Sequence, residues 1–272
     1  MELALVNRTI ASLRKEPDFD SELVDEDLYG AIVEVLSEPI PEWFLIRTQY
    51  QYSGYVHCTE LLSDANMVTF WIHAKKKVVV RSYVDVLSIP KIQGIRLLSV
   101  TRGAFVSILE EARADGWVKV GLCDGTVGYM REQSLHNWNI GWFLPEGTLR
   151  RNIVNSALSY LGTQYRWGGR SSLGIDCSGL CLSAYMLNGI LIYRDAKIME
   201  GFPIHEICIG NMKPCDLLFF PGHVAIYIGN GEYIHSTGRI GSDGVVINSL
   251  NSRDPNYRED LAVQLTAVGS IF

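Results

Sequence analysis

One cysteine in the chain has the sequence surroundings of an activated nucleophile. Cys177 follows a glycine-rich stretch at residues 165–176 and opens a run whose apolar side chains recur at helical spacing up to Gly189. This spacing predicts a helix that begins at Cys177. Because a helix N-terminus carries unpaired N–H groups and partial positive charge, we expect the pKa of the Cys177 thiol to be lowered. The predicted chemistry is attack by a cysteine thiolate.

Two histidines twelve residues apart could supply the base and the group that orients it. His223 opens an apolar, β-branched run, and residues 229–231 (Gly-Asn-Gly) have the composition of a tight hairpin turn. His235 lies in the next predicted strand. Because antiparallel neighbours face each other, we expect the two histidines to lie side by side. A cysteine, a histidine and a second polar residue that orients the histidine form a nucleophilic triad.

Metal binding is the main rival interpretation of these residues. The spacing Cys177-x-x-x-Cys181 lacks the paired two-residue spacing of zinc knuckles. Each residue alone also has an ordinary explanation, a buried helix cysteine for Cys177 and strand residues for His223 and His235. The order of all three in one chain favours the triad. We therefore predict a catalytic site that needs no metal and no cofactor.

The motifs around these residues resemble the NlpC family of papain-like cell-wall cysteine peptidases. The resemblance covers about the last 125 residues and runs through the segments 165–169, 176–179, 223–229 and 233–236 in the right order. It implies an α+β papain-like domain with Cys177 as nucleophile, His223 as base and His235 as orienter.

The same resemblance implies a set of residues around the substrate. Tyr165 is expected to face the thiol or the oxyanion, and Asp176 and Ser178 flank the nucleophile in the family motif. Tyr165 could instead be a core tyrosine under the glycine-rich loop.

Two positions depart from the family pattern, since Cys215 and Ala225 stand where the family usually has glycine. Both are small residues outside the triad, so we expect activity to be retained.

The first half of the chain contains an internal repeat with a shift of 73 to 74 residues. Each copy has short β-rich runs and a closing Gly-Tyr pair, which predicts two small five-stranded all-β barrels that resemble bacterial SH3-like domains. We place the barrels at about residues 3–63 and 75–138. The matching landmarks are Gly30 and Gly103, Trp43 and Trp117, Gly54 and Gly128, and Leu61 and Leu135.

The predicted domains are therefore residues 1–63, residues 64–145 with a connector at 64–74, and a catalytic domain at 146–272. Residues 139–147 are expected to form a linker that contains Trp142 and Pro145. Thr148 is a plausible N-cap for a helix that ends at Gly162. The catalytic domain should contain helices first and an antiparallel sheet second.

An arginine and an aspartate in the catalytic domain indicate the kind of substrate. Arg194 and Asp195 resemble a pair found in a dipeptidyl-peptidase branch of the family. The resemblance implies that Asp195, with Tyr52 and Glu22 of the first barrel, holds the free amino group of an N-terminal L-Ala. Carboxylates are suited to an ammonium group and select against a blocked amine. Asp195 and Glu22 could also be ordinary solvated charges.

The resemblance thus implies a peptidase that cuts free murein peptides between γ-D-Glu and the diamino acid and releases L-Ala-γ-D-Glu. Three alternatives remain open. The first is an exported endopeptidase that acts on polymeric peptidoglycan and uses the barrels to bind the wall. The second is a catalytically inactive murein-binding protein, and the third is an acyltransferase or amidase on the same scaffold.

Composition narrows the possible partners and location. The 272 residues carry a formal net charge of −6 and 47% hydrophobic residues, which gives folded cores but no basic face for nucleic acid or an anionic membrane. The first residues lack the basic and apolar regions of a signal peptide. We therefore expect a cytoplasmic protein, whereas a removed leader would make the protein exported. We also expect it to act as a monomer on small murein peptides.

Overall fold

The structure is a computed structural model that describes residues 2–112, 114–138 and 143–272. The chain forms two compact units, Met1–Trp138 and Asn139–Phe272. The N-terminal unit contains two seven-stranded antiparallel sheets, and the C-terminal unit combines helices with a six-stranded and a two-stranded antiparallel sheet. Among the described residues, no helix is both long and apolar enough to cross a membrane.

The first sheet has the strand order β3-β2-β6-β5-β4-β1-β7. Its inward-facing side chains form a small apolar core that includes Val6, Leu13, Ile46 and Val56, all fully buried. The strands are β1 (Glu2–Val6), β2 (Ile10–Arg14), β3 (Leu23–Leu28), β4 (Ile32–Ile40), β5 (Trp43–Arg47), β6 (Ser53–His57) and β7 (Leu61–Leu62).

The second sheet repeats the first strand for strand, with the order β10-β9-β13-β12-β11-β8-β14. Trp43 and Trp117 begin β5 and β12, and Gly54 and Gly128 are the second residues of β6 and β13. The repeated landmarks therefore hold equivalent positions. The strands are β8 (Lys76–Val79), β9 (Tyr83–Leu87), β10 (Arg96–Thr101), β11 (Phe105–Glu110), β12 (Trp117–Gly121), β13 (Val127–Arg131) and β14 (Leu135–Asn137).

The prediction of five strands in each barrel was wrong. Within the described residues each sheet has seven strands. The additional strands include β7 and β14, which are two and three residues long and pair with β1 and β8. Segments this short contain too few residues to show the alternation that predicts a strand.

The predicted connector between the two sheets contains a helix, α1 (Ala65–His73). Asp64 caps it by accepting hydrogen bonds from the N–H groups of Asn66 and Met67, at 3.0 and 2.9 Å. Trp71 is fully buried, and its Nε1–H donates to the carbonyl of Gly30 at 2.9 Å. The connector thus supplies a core residue of the N-terminal unit.

The C-terminal unit has the predicted order of helices first and antiparallel sheet second. Its main sheet has the strand order β17-β22-β18-β19-β20-β21. The helices are α2 (Glu146–Leu158), α3 (Cys177–Met186) and α4 (Glu259–Ala262). The strands are β15 (Arg170–Ser171), β16 (Gly174–Ile175), β17 (His205–Ile207), β18 (Leu217–Phe220), β19 (His223–Gly229), β20 (Glu232–Thr237), β21 (Gly244–Ser249) and β22 (Ala267–Ser270).

Helix α2 begins earlier than predicted, so Thr148 is not its N-cap. Pro145 occupies the N-cap position, and the N–H of Thr148 already bonds to the carbonyl of Pro145 at 2.9 Å. Glu146 lies in the first turn, where its negative charge interacts favourably with the positive end of the helix dipole. Of the predicted linker 139–147, residues 139–142 with Trp142 lie outside the described residues, and its last two residues belong to α2.

Candidate active site

Helix α3 begins at Cys177, as predicted. Asp176 caps the helix, and its Oδ1 accepts a hydrogen bond from the N–H of Gly179 at 2.6 Å. A Cβ at Gly179 would lie 2.3 Å from the carbonyl oxygen of Gly169, so glycine is needed for the loop to pack against the first turn. The cap and the loop together fix the cysteine at the start of the helix, with 8% of its surface exposed.

The predicted hairpin and its histidine pair are confirmed. β19 and β20 are antiparallel neighbours, and the turn residue Asn230 adopts a φ of 55°. His223 Nε2 and His235 Nδ1 lie 2.7 Å apart, and His235 is fully buried. His235 Nε2 in turn lies 2.9 Å from Oδ1 of Asn248 on β21. Three side chains from three successive strands therefore form one hydrogen-bonded row.

Helix α3, which begins at Cys177, packs against β19, which begins at His223. The backbone N–H of Val224, the residue after His223, favours the charged form of the Cys177 sulfur. Nε2 of His223 is occupied by His235, so Nδ1 is the ring nitrogen left for the thiol. The arrangement can transfer a proton from sulfur to imidazole, as a cysteine nucleophile requires.

The expected lowering of the Cys177 pKa was wrong. Burial, followed by the negative charge of Asp176, raises the pKa of the thiol to about 11. The backbone N–H groups of Val224 and Ser178 and the charge of Arg194 act in the opposite direction but are outweighed. At neutral pH the Cys177 thiol is therefore neutral, so a base must accept its proton for a thiolate to form.

Burial also keeps the two histidines neutral. It lowers the pKa of His223 to about 3, with a further contribution from the charge of His235. It lowers the pKa of His235 to about 4, although the hydrogen bond to Asn248 partly offsets the effect. At neutral pH the row therefore consists of two neutral imidazoles, and His223 has an unprotonated ring nitrogen.

These pKa shifts make the stability of the protein depend on pH. Both folded-state values lie below the ordinary histidine pKa of about 6.5, so below that pH the unfolded chain binds protons that the native protein excludes. We expect the free energy of unfolding to fall as the pH decreases from 6.5 to 5, by up to about 1.4 kcal/mol per pH unit for each histidine. Urea unfolding at several pH values measures this slope.

The substitution His235→Gln tests the assignment of the slope. It removes one titrating ring, so we expect a flatter dependence of the unfolding free energy on pH, whatever the change in stability at pH 7. A slope identical to that of the parent would show that other groups control the acid stability.

Arg194 reaches the active site through Asp176 and Ser178. Its Nη1 and Nη2 form a bidentate pair with the Asp176 carboxylate at 3.0 and 2.8 Å, and Nη1 also donates to Ser178 Oγ at 2.7 Å. Arg194 is 1% exposed. We therefore expect it to act on substrate indirectly, by holding the residues on either side of Cys177.

Tyr165 lies close to the nucleophile. Burial raises its pKa to about 12, and the charges of Cys177 and Asp176 contribute to the shift. Its ring packs beside Gly238, where a Cβ would lie 3.2 Å from the ring. This position agrees with a role for the hydroxyl at the thiol or the oxyanion, which stays a prediction.

Asp195 lines a cavity beside the catalytic residues, together with Ser178 and Val224. The other walls are largely apolar and include Phe202 and Phe219. Burial, followed by the adjacent Asp195 carboxylate, raises the pKa of Tyr193. Lys197 also lines this cavity, so the binding of a cationic group by Asp195 stays a prediction.

The two site residues predicted in the first barrel belong to the N-terminal unit. Glu22 is exposed and pairs with Lys15, with 3.3 Å between Oε2 and Nζ. The carbonyl of Tyr52 accepts a hydrogen bond from the N–H of Thr48 at 2.8 Å. Their predicted role in amine binding stays a prediction.

Glu22 belongs to an acidic run in the sequence. The buried acidic residues of that run lie further along, on β3. Asp25, Glu26 and Asp27 are 0 to 3% exposed. The buried hydroxyl of Tyr50 donates to Asp25 Oδ2 at 2.5 Å. Three successive polar residues in a strand gave no sign of burial, because alternation predicts that every second one faces solvent.

A group of possible metal ligands occurs in the N-terminal unit. Candidate ligand atoms of Glu42, His57 and Cys58 lie within 4.8 Å of one another. Nδ1 of His57 is 2.9 Å from Oγ1 of Thr59, and Glu42 is exposed. The group includes no member of the predicted triad, and we assign no metal to it.

The cysteine at a helix N-terminus and the histidine pair on the adjoining hairpin define a cysteine peptidase site in an α+β domain. Residues 162–262 match the NlpC/P60 family. The chain is 44% identical over 271 residues to a dipeptidyl-peptidase 6 from Lysinibacillus sphaericus, with 99% of each chain covered. The chain belongs to the NlpC/P60 family, and it is a cysteine peptidase.

Of two further similarities, the first covers only the catalytic part of the chain and the second covers nearly the whole chain. The gamma-D-glutamyl-L-lysine dipeptidyl-peptidase of Bacillus subtilis is 38% identical over 122 residues, which cover 40% of this chain and 38% of that protein. The crystal structure of an NlpC/P60 family protein from Bacillus cereus superposes over 98% of both chains with a TM-score of 0.80 at 20% identity. The second similarity shows that the fold is shared.

Proposed function

We propose that this enzyme cleaves the bond between γ-D-Glu and the diamino acid in murein peptides with a free N-terminal L-Ala, and releases L-Ala-γ-D-Glu. The observation that carries the proposal is the similarity to dipeptidyl-peptidase 6 over 99% of both chains. The gamma-D-glutamyl-L-lysine dipeptidyl-peptidase relative supports the same bond type for the catalytic part.

In the first half of the reaction, Nδ1 of His223 accepts the proton of the Cys177 thiol as sulfur attacks the γ-carbonyl carbon of D-Glu. The carbonyl oxygen becomes an oxyanion, which the backbone N–H of Cys177 and the hydroxyl of Tyr165 stabilise. His223 then gives the proton to the amine nitrogen of the diamino acid as the carbon–nitrogen bond breaks. A thioester between Cys177 and the γ-carbonyl group remains.

In the second half, water attacks the thioester carbon and His223 accepts a proton from that water. The carbon–sulfur bond breaks, the proton returns to the Cys177 sulfur, and the γ-carboxyl group of D-Glu is released. The row of His235 and Asn248 holds the imidazole of His223 in place throughout, with contacts of 2.7 and 2.9 Å.

The preference for a free amine is assigned to Asp195 of the C-terminal unit, and the roles of Tyr52 and Glu22 in amine binding stay predictions from the sequence. Asp195 supplies a negative charge to the cavity beside Ser178. An ammonium group bound there would be paired, whereas an acetylated amine would leave the carboxylate without a charged partner. The site would therefore accept two residues on the acyl side of the cleaved bond.

The test compares the tripeptide L-Ala-γ-D-Glu-diaminopimelate with its N-acetylated form, with turnover followed by mass spectrometry. We expect Asp195→Asn to lower kcat/KM for the free peptide by about 10- to 100-fold, because a hydrogen bond to a charged group is lost. It should leave the slow turnover of the acetylated peptide nearly unchanged. Cys177→Ala provides the blank.

Glu200→Gln is the matched control, since Glu200 is an exposed carboxylate five residues further along the same segment. We expect it to keep the preference for the free peptide. Equal turnover by Asp195→Asn and the parent would remove Asp195 from the amine site. Cleavage of neither peptide by the parent would contradict the proposed substrate.

We also propose that the two sheets of the N-terminal unit are SH3-like domains. We assign the protein to the cytoplasm, where it would act as a monomer on free peptides during murein recycling, without nucleic-acid or membrane partners. The six cysteines are free thiols in the described structure, four of them buried, as is usual in reducing compartments. Cell fractionation and light scattering test these assignments.

One observation favours a second candidate, an exported endopeptidase that acts on the wall polymer. The protein named probable peptidoglycan endopeptidase LytE from Bacillus subtilis is 37% identical over 106 residues. That similarity covers 37% of this chain, against 99% for dipeptidyl-peptidase 6, so we rank it second. Release of peptides from intact sacculi at a rate similar to that for the free tripeptide would favour it.

A further inference from the structure

We propose that Asn248 is a positioning residue that fixes which nitrogens of His223 and His235 carry protons, and so keeps His223 ready to act as a base. The inference applies to the cysteine peptidase chemistry of the site and does not depend on which peptide is the substrate. The proton positions depend on the orientation of the Asn248 amide.

A backbone carbonyl fixes that orientation. Nδ2 of Asn248 lies 2.8 Å from the carbonyl oxygen of Asn256, which can only accept a hydrogen bond. The same carbonyl oxygen accepts the N–H of Ser249 at 3.1 Å, so it is held in place from the backbone as well. The NH₂ group of Asn248 must therefore face Asn256, and its Oδ1 must face His235.

The amide oxygen determines the proton positions in the row. Oδ1 can only accept, so His235 must carry a proton on Nε2, which lies 2.9 Å away. In the neutral ring Nδ1 of His235 is then an acceptor, and His223 must donate to it from Nε2 across 2.7 Å. This leaves Nδ1 of neutral His223 without a proton, and that nitrogen is the one available to Cys177.

Without the Asn248 oxygen, the opposite arrangement becomes possible. His235 could carry its proton on Nδ1 and donate to His223, which would then carry its own proton on Nδ1 and could not accept one from the thiol. The burial of both rings favours neutral forms, so the choice is between tautomers. The charges that act on the pair are those of Arg258, Asp260 and Asp176, and Arg258 and Asp260 pair with each other at 2.6 Å.

The experiment compares Asn248→Leu, which fills the space without polar atoms, with Asn248→Asp, which keeps an acceptor at His235. For Asn248→Leu we expect kcat to fall about 10- to 100-fold with KM nearly unchanged, because the base is present but in the wrong tautomer. Asn248→Asp should retain more activity than Asn248→Leu. Its carboxylate favours a charged histidine pair, so the acid limb of its pH profile should move to higher pH.

Two readouts need no peptide substrate. Nitrogen-15 NMR of the histidine rings should show His235 protonated on Nε2 in the parent, and a mixture of tautomers in Asn248→Leu. The rate at which iodoacetamide modifies Cys177, followed by mass spectrometry at pH 7, should fall with kcat. Asn251→Ala, three residues further along, removes an exposed amide that hydrogen-bonds to Asp254, and should match the parent in both measurements.

The proposal is overturned if Asn248→Leu is folded and keeps kcat, iodoacetamide reactivity and histidine tautomers within twofold of the parent. It is also overturned if Asn248→Asp is as impaired as Asn248→Leu with an unchanged pH profile, since the retained acceptor would then have no effect. Should Asn248→Leu fail to fold, the comparison of Asn248→Asp with the parent decides by tautomer and pH profile. If the parent does not cleave the proposed peptide, the histidine NMR and the iodoacetamide rate still decide the proposal, because neither measurement uses a substrate.

Discussion

Cys177→Ser should reduce turnover by about 10⁵- to 10⁶-fold, a loss typical of removing the nucleophile from a catalytic triad. A serine hydroxyl fits the same space at the start of α3 but is far less acidic than a thiol. The buried site already raises the pKa of the Cys177 thiol to about 11, so it offers little help to ionise a weaker acid. The measurement is single-turnover cleavage of the free tripeptide.

Cys208→Ser is the matched control, because Cys208 is the exposed cysteine of the described chain. We expect it to retain full turnover and to lose only its own reaction with a thiol reagent. The thermal unfolding of Cys177→Ser should resemble that of the parent, which separates loss of chemistry from loss of fold. Substantial turnover by Cys177→Ser would mean that another group attacks the substrate.

The positions of Cys177, His223 and His235 in the fold could be predicted from the sequence because each depends on a local pattern. The glycine-rich loop and the helical spacing fixed the start of α3, and the Gly-Asn-Gly turn fixed the pairing of β19 with β20. Pairing across a tight turn brings His223 and His235 together with little influence from the rest of the fold. Local interactions of this kind are contained in short stretches of sequence.

The ionisation of Cys177 could not be predicted in this way. The helix N-terminus is local, but the burial that raises the thiol pKa depends on the packing of distant segments, such as β19 against α3. The pKa shift from complete burial can reach several units, which exceeds the effect of a helix terminus. A sequence shows the helix and not the packing around it.

Asn248 was missed for a related reason. It stands thirteen residues after His235, beyond a loop, and reaches the histidine because β20 and β21 pair in one particular register. A shift by one residue would turn its side chain to the other face of the sheet. A sequence search that looked for polar residues on the strand after the second histidine would have found it as one candidate.

Cys215 shows how a departure from a family pattern can be accommodated. It adopts a φ of 80°, in the left-handed region that favours glycine, which explains the glycine that the family usually has there. Its side chain is fully buried, with Arg150 Nη1 at 3.5 Å from the sulfur. Packing of the thiol offsets backbone strain of about 1 kcal/mol.

Asp216→Ala should destabilise the protein by about 3–5 kcal/mol, because it removes the buried carboxylate that pairs with the buried Arg150 guanidinium. Asp216 is fully buried and pairs with Arg150 Nη1 at 2.7 Å. It also accepts hydrogen bonds from Ser270 Oγ and from the N–H of Lys213, each at 2.7 Å. One carboxylate therefore joins α2, the start of β18 and the end of β22. Urea unfolding followed by circular dichroism measures the change.

Glu146→Ala removes the other carboxylate that pairs with Arg150, which is the more exposed of the two. Glu146 Oε1 lies 2.8 Å from Arg150 Nε, but the Glu146 side chain is 46% exposed, so water can replace it. We expect a far smaller loss of stability than for Asp216→Ala, although both variants remove one carboxylate from Arg150. Similar losses for the two variants would mean that burial does not control the strength of this ion pair. A large difference would identify the Asp216 carboxylate as the group that fixes β18, and with it the strand that leads to His223.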